Sequence, residues 1–139
     1  AERPERFFQA AAAALRPGGR LVIVDDFLAR PEAELDDAGR RRTRDFTAGW
    51  RLSALTTPAE ATRAAAEHDF TLESDDDLTA LVRLGRPRDR VIALLVPLFR
   101  AVGLVGVPFF GNMIGGDALQ RGLRAGDFAY RMLVYRRGG

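Results

Sequence analysis

Four successive apolar residues, Leu21 to Val24, stand between a Pro17-Gly18-Gly19 turn and the pair Asp25-Asp26. A run that is apolar on both faces of the pleat predicts a short strand, about 20–25, covered on both sides. Upstream, Glu5 to Leu15 is Ala-rich, with Phe7, Phe8, Ala11 and Leu15 at helical spacing and Pro4 suited to a first helical position. Pro17 cannot continue that helix, and Gly18 and Gly19 can take the left-handed conformations that end it. Downstream, Pro31 opens a polar helical stretch from Glu32 to about Trp50, on which Phe46 and Trp50 share a face. Thr57-Pro58-Ala59-Glu60 reads as a capping box opening a helix that runs to about Glu67. Phe70, Leu72 and Ser74 then alternate with Thr71, Glu73 and Asp75, a half-polar pattern that suits an edge strand over 70–75.

Residues 78–126 are too long for a simple connection and predict a helical insertion. Within it, Val91 to Phe110 carries one charge, Arg100. That charge at mid-span, with Pro97, Gly103, Gly106 and Pro108, argues against a membrane span, and membrane contact is not expected. Two short helices broken near Gly103 are predicted, the first burying Val91, Leu94, Leu95, Leu98 and Val102. The glycines of Gly111-Asn112-Met113-Ile114-Gly115-Gly116 do not follow a strand as a dinucleotide fingerprint would, and are read as sites of close helix packing. Asp117 is expected to cap a helix over Ala118 to Leu123, with Gly126 beyond it. Phe128, Tyr130, Met132 and Val134 alternate with Ala129, Arg131, Leu133 and Tyr135, a mostly apolar pattern on both faces that predicts an interior strand over 128–136.

With 139 residues the chain suits one domain with its own core, 1–139. All 21 basic residues are Arg, which reads as a compositional bias, and the net charge is only +2. The basic run Arg40-Arg41-Arg42-Thr43-Arg44 is balanced by Glu34, Asp36, Asp37 and Asp45 and has no interleaved aromatics, so nucleic acid is not expected as a partner. Without Cys there is no disulfide or thiolate chemistry, and with one His a zinc site is not expected. No signal peptide opens the chain, which makes the cytoplasm the default location. There is no G-x-S-x-G elbow for a serine hydrolase. His68, at a helix end, reads as a residue favoured there by the helix dipole.

The order helix, Leu15-x-Pro17-Gly18-Gly19-x, apolar strand resembles the fifth-strand region of class I S-adenosylmethionine-dependent methyltransferases. Thr57 to Phe70 resembles that family's next helix, closed at His68-Asp69-Phe70 where the family usually has an Ala-Gly-Phe-like turn. Phe128 to Arg137 resembles its last strand. The resemblance spans nearly the whole chain but only the carboxyl-terminal half of the family's fold. It implies an α/β class and a partial Rossmann-like fold, a mixed three-stranded sheet in which the last strand is central and antiparallel. Asp25-Asp26, Asp75–Asp77 and Asp127 would then share one edge of the sheet, the edge of methyl transfer.

The resemblance further implies a methyl transferase acting on a largely apolar small molecule. Asp25 and Asp26 would be the candidate bases, and Phe46, Trp50, Phe110, Asn112 and Met113 the acceptor-binding residues under a lid formed by the insertion. S-adenosylmethionine would be the cofactor of the complete protein. The family's glycine-rich loop and its ribose-binding acid are absent from this sequence, so this chain alone is not expected to bind the cofactor or to methylate. It would need the missing amino-terminal half or a partner chain. The alternative is a non-catalytic module that pairs or dimerises through the exposed edge of its first strand.

Overall fold

The computed structural model describes residues 4–52 and 54–139. Helix α1 (Pro4–Ala14) leads into strand β1 (Arg20–Leu28), followed by α2 (Asp37–Trp50) and α3 (Pro58–Ala66). Strand β2 (Phe70–Asp77) precedes α4 (Pro87–Ala101) and α5 (Pro108–Ala125), and strand β3 (Phe128–Arg137) closes the chain. The sheet order is β1-β3-β2, with β3 central and antiparallel to both neighbours.

The Pro-Gly-Gly turn is clamped to the end of the central strand. Gly18 N–H donates to the Arg137 carbonyl at 3.0 Å, and Arg137 N–H donates to the Gly19 carbonyl at 2.8 Å. Of the two glycines only Gly18 has a left-handed backbone, at φ +74°. Gly19 is needed instead for a close approach, because a Cβ there would stand 2.8 Å from the Arg16 carbonyl oxygen. Asp69 also takes a left-handed φ, +62°, in the turn His68-Asp69-Phe70, a conformation that Asp tolerates better than most residues.

One face of the sheet carries α1 and α3. Phe8, Phe27, Ala64, Ala65, Phe70, Leu133 and Tyr135 form the core there, with the Phe8 ring 5.4 Å from that of Tyr135. The other face carries α2 and α5 over the end that holds Leu28 and Phe128, where Phe46 stacks 5.7 Å from Phe128. A third cluster joins α4 to α5 through Val96, Phe99 and Ile114. The Thr57 capping box forms as read: Glu60 N–H donates to the Thr57 hydroxyl, and Thr57 N–H donates to the Glu60 carboxylate.

Several expectations are corrected. Strand β1 does not stop at the two aspartates but continues through Phe27 and Leu28, so Asp25 and Asp26 lie inside it, opposite Arg131 and Tyr130. Nor is β1 covered on both sides: Val22 and Val24 are 55% and 46% exposed. Among the described residues nothing pairs with its free edge, and α2 and α5 reach only its far end. The long polar helix divides into a single 3-10 turn, Glu32–Glu34, and α2, because Asp36 caps α2 by accepting from Gly39 N–H at 2.6 Å. The predicted break near Gly103 is present, at φ +74°.

On α4 the buried face is not the predicted one. Val91, Leu94, Leu98 and Val102 are exposed, while Val96 and Phe99 are buried and Ile92 and Leu95 pack against them. The helix is apolar nearly all round, so spacing alone could not select the inward face. The glycine stretch 111–116 lies within one continuous helix, and Asp117 sits mid-helix, paired with Arg121 at 2.5 Å instead of capping. Glycine inside a helix costs about 1 kcal/mol against alanine. Here it permits contact: a Cβ on Gly49 of α2 would lie 2.4 Å from the Gly111 carbonyl oxygen and 2.8 Å from the Gly115 Cα. Among the described residues, no helix is long and apolar enough to cross a membrane.

Candidate functional site

The antiparallel central strand brings the acidic residues of three segments to one end of the sheet. Asp25 and Asp77 both lie opposite Arg131, and Arg131 pairs with Asp75 at 2.8 Å and Asp77 at 3.2 Å. Asp127, one residue before β3, is 2% exposed and is held by Arg30 at 3.2 Å and by Arg42, whose Nε donates at 2.8 Å. Arg42 is therefore turned inward from the basic run, while Arg40 pairs with exposed Asp37 and Asp45 pairs with Arg100.

Asp25 and Asp26 differ in setting. The Asp25 side chain is exposed and accepts the Asp26 N–H at 2.8 Å. Asp26 is half-buried and shares the Leu28 face, opposite Tyr130, beside the core under α2 and α5. Burial, and secondarily the neighbouring Asp25, push its carboxyl up to about 6. Since this folded value lies above the unfolded one of 3.8, Asp26 favours folding fully below pH 3.8, and that advantage is lost as pH rises through about 6. Asp26→Asn cannot ionise. After discounting for solvent screening, it should be more stable than the parent by about 1–2 kcal/mol at pH 7 and equal to it near pH 3. Urea unfolding at both pH values checks this, and parallel pH profiles for the two proteins would refute the burial of Asp26.

A cleft of about 570 Å³ opens between α5 and the segment running from Val82 into the start of α4. Trp50, Val82, Leu84, Ile92, Phe109, Met113, Leu119 and Leu123 supply its apolar wall; Asn112, Gln120, Asp89 and Asp117 are polar, and Arg83, Arg86 and Arg88 add charge. The local reasons are clear. Gly85, at φ +74°, turns the 82–86 segment, and its N–H donates to Gln120 Oε1 at 3.0 Å, tying that segment to α5. The close α2–α5 crossing at Gly49 and Gly115 brings Trp50 against α5.

The structure therefore divides the residues singled out from the sequence. Trp50, Asn112 and Met113 line the cleft. Phe46 is 2% exposed in the core behind Trp50, its ring 5.5 Å away. Phe110 packs on Phe99, 4.8 Å between ring centres, in the α4–α5 cluster, and it is Phe109 that faces the cleft. Asp25 and Asp26 do not line it. Phe110, expected among the acceptor-binding residues, is turned away because α5 is continuous and its phase presents the preceding residue, Phe109, to the cleft. The cleft arginines escaped the reading, although the run Arg83-x-x-Arg86-x-Arg88-x-Arg90 is visible between two apolar stretches.

Strand β1 runs into Ala29-Arg30-Pro31 and β2 into Leu78-Thr79, so neither opens onto a glycine-rich turn whose N–H groups could cradle the cofactor.

No protein-family model matches the chain, and no curated protein matches it. Solved structures do. The chain is similar to an assigned sarcosine dimethylglycine methyltransferase from Galdieria sulphuraria, with TM-score 0.65 and 20% identity over 99% of this chain and 49% of that one. It is similar to a cyclopropane synthase from Mycobacterium tuberculosis, with TM-score 0.60 and 16% identity over 98% and 50%. It is also similar to geranyl diphosphate C-methyltransferase from Streptomyces coelicolor A3(2), with TM-score 0.58 and 19% identity over 97% and 41%. The chain thus spans about half the length of the structures it matches. Strand order, the central antiparallel strand and these likenesses agree: the chain has the fold of the carboxyl-terminal half of class I S-adenosylmethionine-dependent methyltransferases.

Proposed function

We propose that this chain is the acceptor-binding half of a methyltransferase that acts on a largely apolar small molecule. The observation that carries the reading is the cleft walled by Trp50 of α2 and by Phe109 and Met113 of α5, in a chain with a methyltransferase half-fold. Structures of the similar geranyl diphosphate methyltransferases hold S-adenosylmethionine or S-adenosylhomocysteine. In this reading the cofactor is held by the missing amino-terminal half or by a partner chain, and this chain binds and orients the acceptor. Asp25 and Asp26 do not line the cleft, so this reading gives neither of them contact with the acceptor bound there.

The test is calorimetry with S-adenosylmethionine on the 139-residue chain, alone and together with the polypeptide encoded directly upstream, followed by transfer of a labelled methyl group to a panel of apolar acceptors. The chain alone should give no saturable isotherm at millimolar cofactor, and the combination should bind and transfer. Saturable binding by the chain alone, or none by the combination, would sink the reading.

A second reading is favoured by the exposed Val22 and Val24 beside the unpaired edge of β1: a non-catalytic module that pairs with another copy by adding strands. A monodisperse homodimer in light scattering, lost on Val24→Lys, would favour it.

A further inference from the structure

We infer that the cleft takes an amphipathic anion: a phosphate or carboxylate carried on an apolar body. This rests on the proposed acceptor site and names the chemistry of what enters it. The cleft holds three guanidinium groups and two carboxylates, and both carboxylates are already engaged. Asp117 pairs with Arg121 at 2.5 Å, and its side chain is 8% exposed. Asp89, at 10% exposure, accepts the Arg86 N–H at 3.0 Å and faces the Arg88 guanidinium at 3.9 Å. Arg83 and Arg86 are exposed, and among the described residues neither forms an ion pair.

The surplus is thus two uncommitted guanidinium groups at the rim of an apolar-walled cavity, next to the amino-terminal end of the fifteen-residue helix α4. Guanidinium groups present paired donors that match the oxygens of phosphate and carboxylate, and the helix end adds positive potential. Trp50, Phe109 and Met113 would take the apolar body. A neutral or cationic acceptor would leave the two arginines without a partner.

Trp50 is the only Trp of the chain and lines the cleft, so its fluorescence reports occupancy. The experiment titrates the full chain with octyl phosphate, 1-octanol and octyltrimethylammonium, each below its micellar concentration. Octyl phosphate should bind more tightly than either of the others by roughly 10- to 100-fold. Arg83→Gln/Arg86→Gln should abolish that preference while leaving 1-octanol binding unchanged. Vesicles of phosphatidylcholine with phosphatidylglycerol, in place of octyl phosphate, distinguish a bilayer headgroup from a free ligand, and a response to either supports the site. Equal affinity for octyl phosphate and 1-octanol in the parent chain overturns the inference without requiring any variant to fold. So does an unchanged preference in the double variant. Neither result touches the cofactor experiment, which does not depend on the acceptor's charge.

Discussion

Replacing Arg42 with Met is expected to destabilise the chain by about 3 kcal/mol, because it breaks a buried ion pair from one side. The Asp127 side chain is 3% exposed, and Arg42, itself 21% exposed, supplies its inner partner through Nε and the terminal nitrogen. The remaining partner, Arg30, is 48% exposed and contributes one longer contact at 3.2 Å. Asp127 also lies at a junction: its carbonyl accepts the Ala29 N–H at 2.8 Å and its N–H donates to Gly122. Without Arg42 the carboxylate stays in a dry site with half its compensation. Arg40→Met is the control. That residue pairs with Asp37, whose side chain is 84% exposed, and also donates to the Leu35 carbonyl; such a surface pair contributes about 0–1 kcal/mol and the hydrogen bond about 1 kcal/mol, so the loss should stay below about 2 kcal/mol. Urea unfolding of the two variants should separate them clearly, and similar losses for both would show that Asp127 is better solvated than its burial implies. Replacing both members by Met and Leu should recover part of the loss, since the cost comes mainly from the orphaned charge.

Gly49→Ala should cost a similar amount, about 3 kcal/mol, through overpacking. Its new methyl would stand 2.4 Å from the Gly111 carbonyl oxygen and 2.8 Å from both the Cα and N of Gly115, all backbone atoms that cannot swing aside. Helices α2 and α5 must separate instead. That loosens the core between Phe46 and Phe128 and shifts Trp50, whose Cδ1 would lie 2.5 Å from a Cβ on Gly115. The variant should therefore lose stability and change its Trp50 emission together. Gly116→Ala, one position on, meets open space. It should gain up to about 1 kcal/mol from helix propensity. Equal effects at the two positions would mean that the α2–α5 crossing is not as close as described.

Both experiments bear on the cleft as well as the fold. The α2–α5 crossing places Trp50, and Arg42 ties α2 to the start of β3, so the wall of the proposed acceptor site depends on both contacts. A variant that weakens either should bind octyl phosphate less well even where Arg83 and Arg86 are intact.

Much of the architecture is written locally in the chain. The Pro17-Gly18-Gly19 turn, the Thr57–Glu60 capping box, the half-polar edge strand and the doubly apolar last strand depend on neighbouring residues, so their spacing predicts them and the structure has them. The gathering of Asp25, Asp77 and Asp127 at one end follows once the last strand is central and antiparallel. What tertiary structure decided is the facing of elements whose composition is nearly uniform. Between Val91 and Phe99 helix α4 is apolar all round, so contact with α5 chose Val96 and Phe99 for burial and left Leu94 outside. The glycines of helix α5 read as sites of close packing, but only the fold shows that α2 is the helix they meet, and the phase of the continuous α5 turns Phe109 to the cleft and Phe110 to Phe99. The inward turn of Arg42 is settled by Asp127, 85 residues away, a pairing that no local pattern encodes.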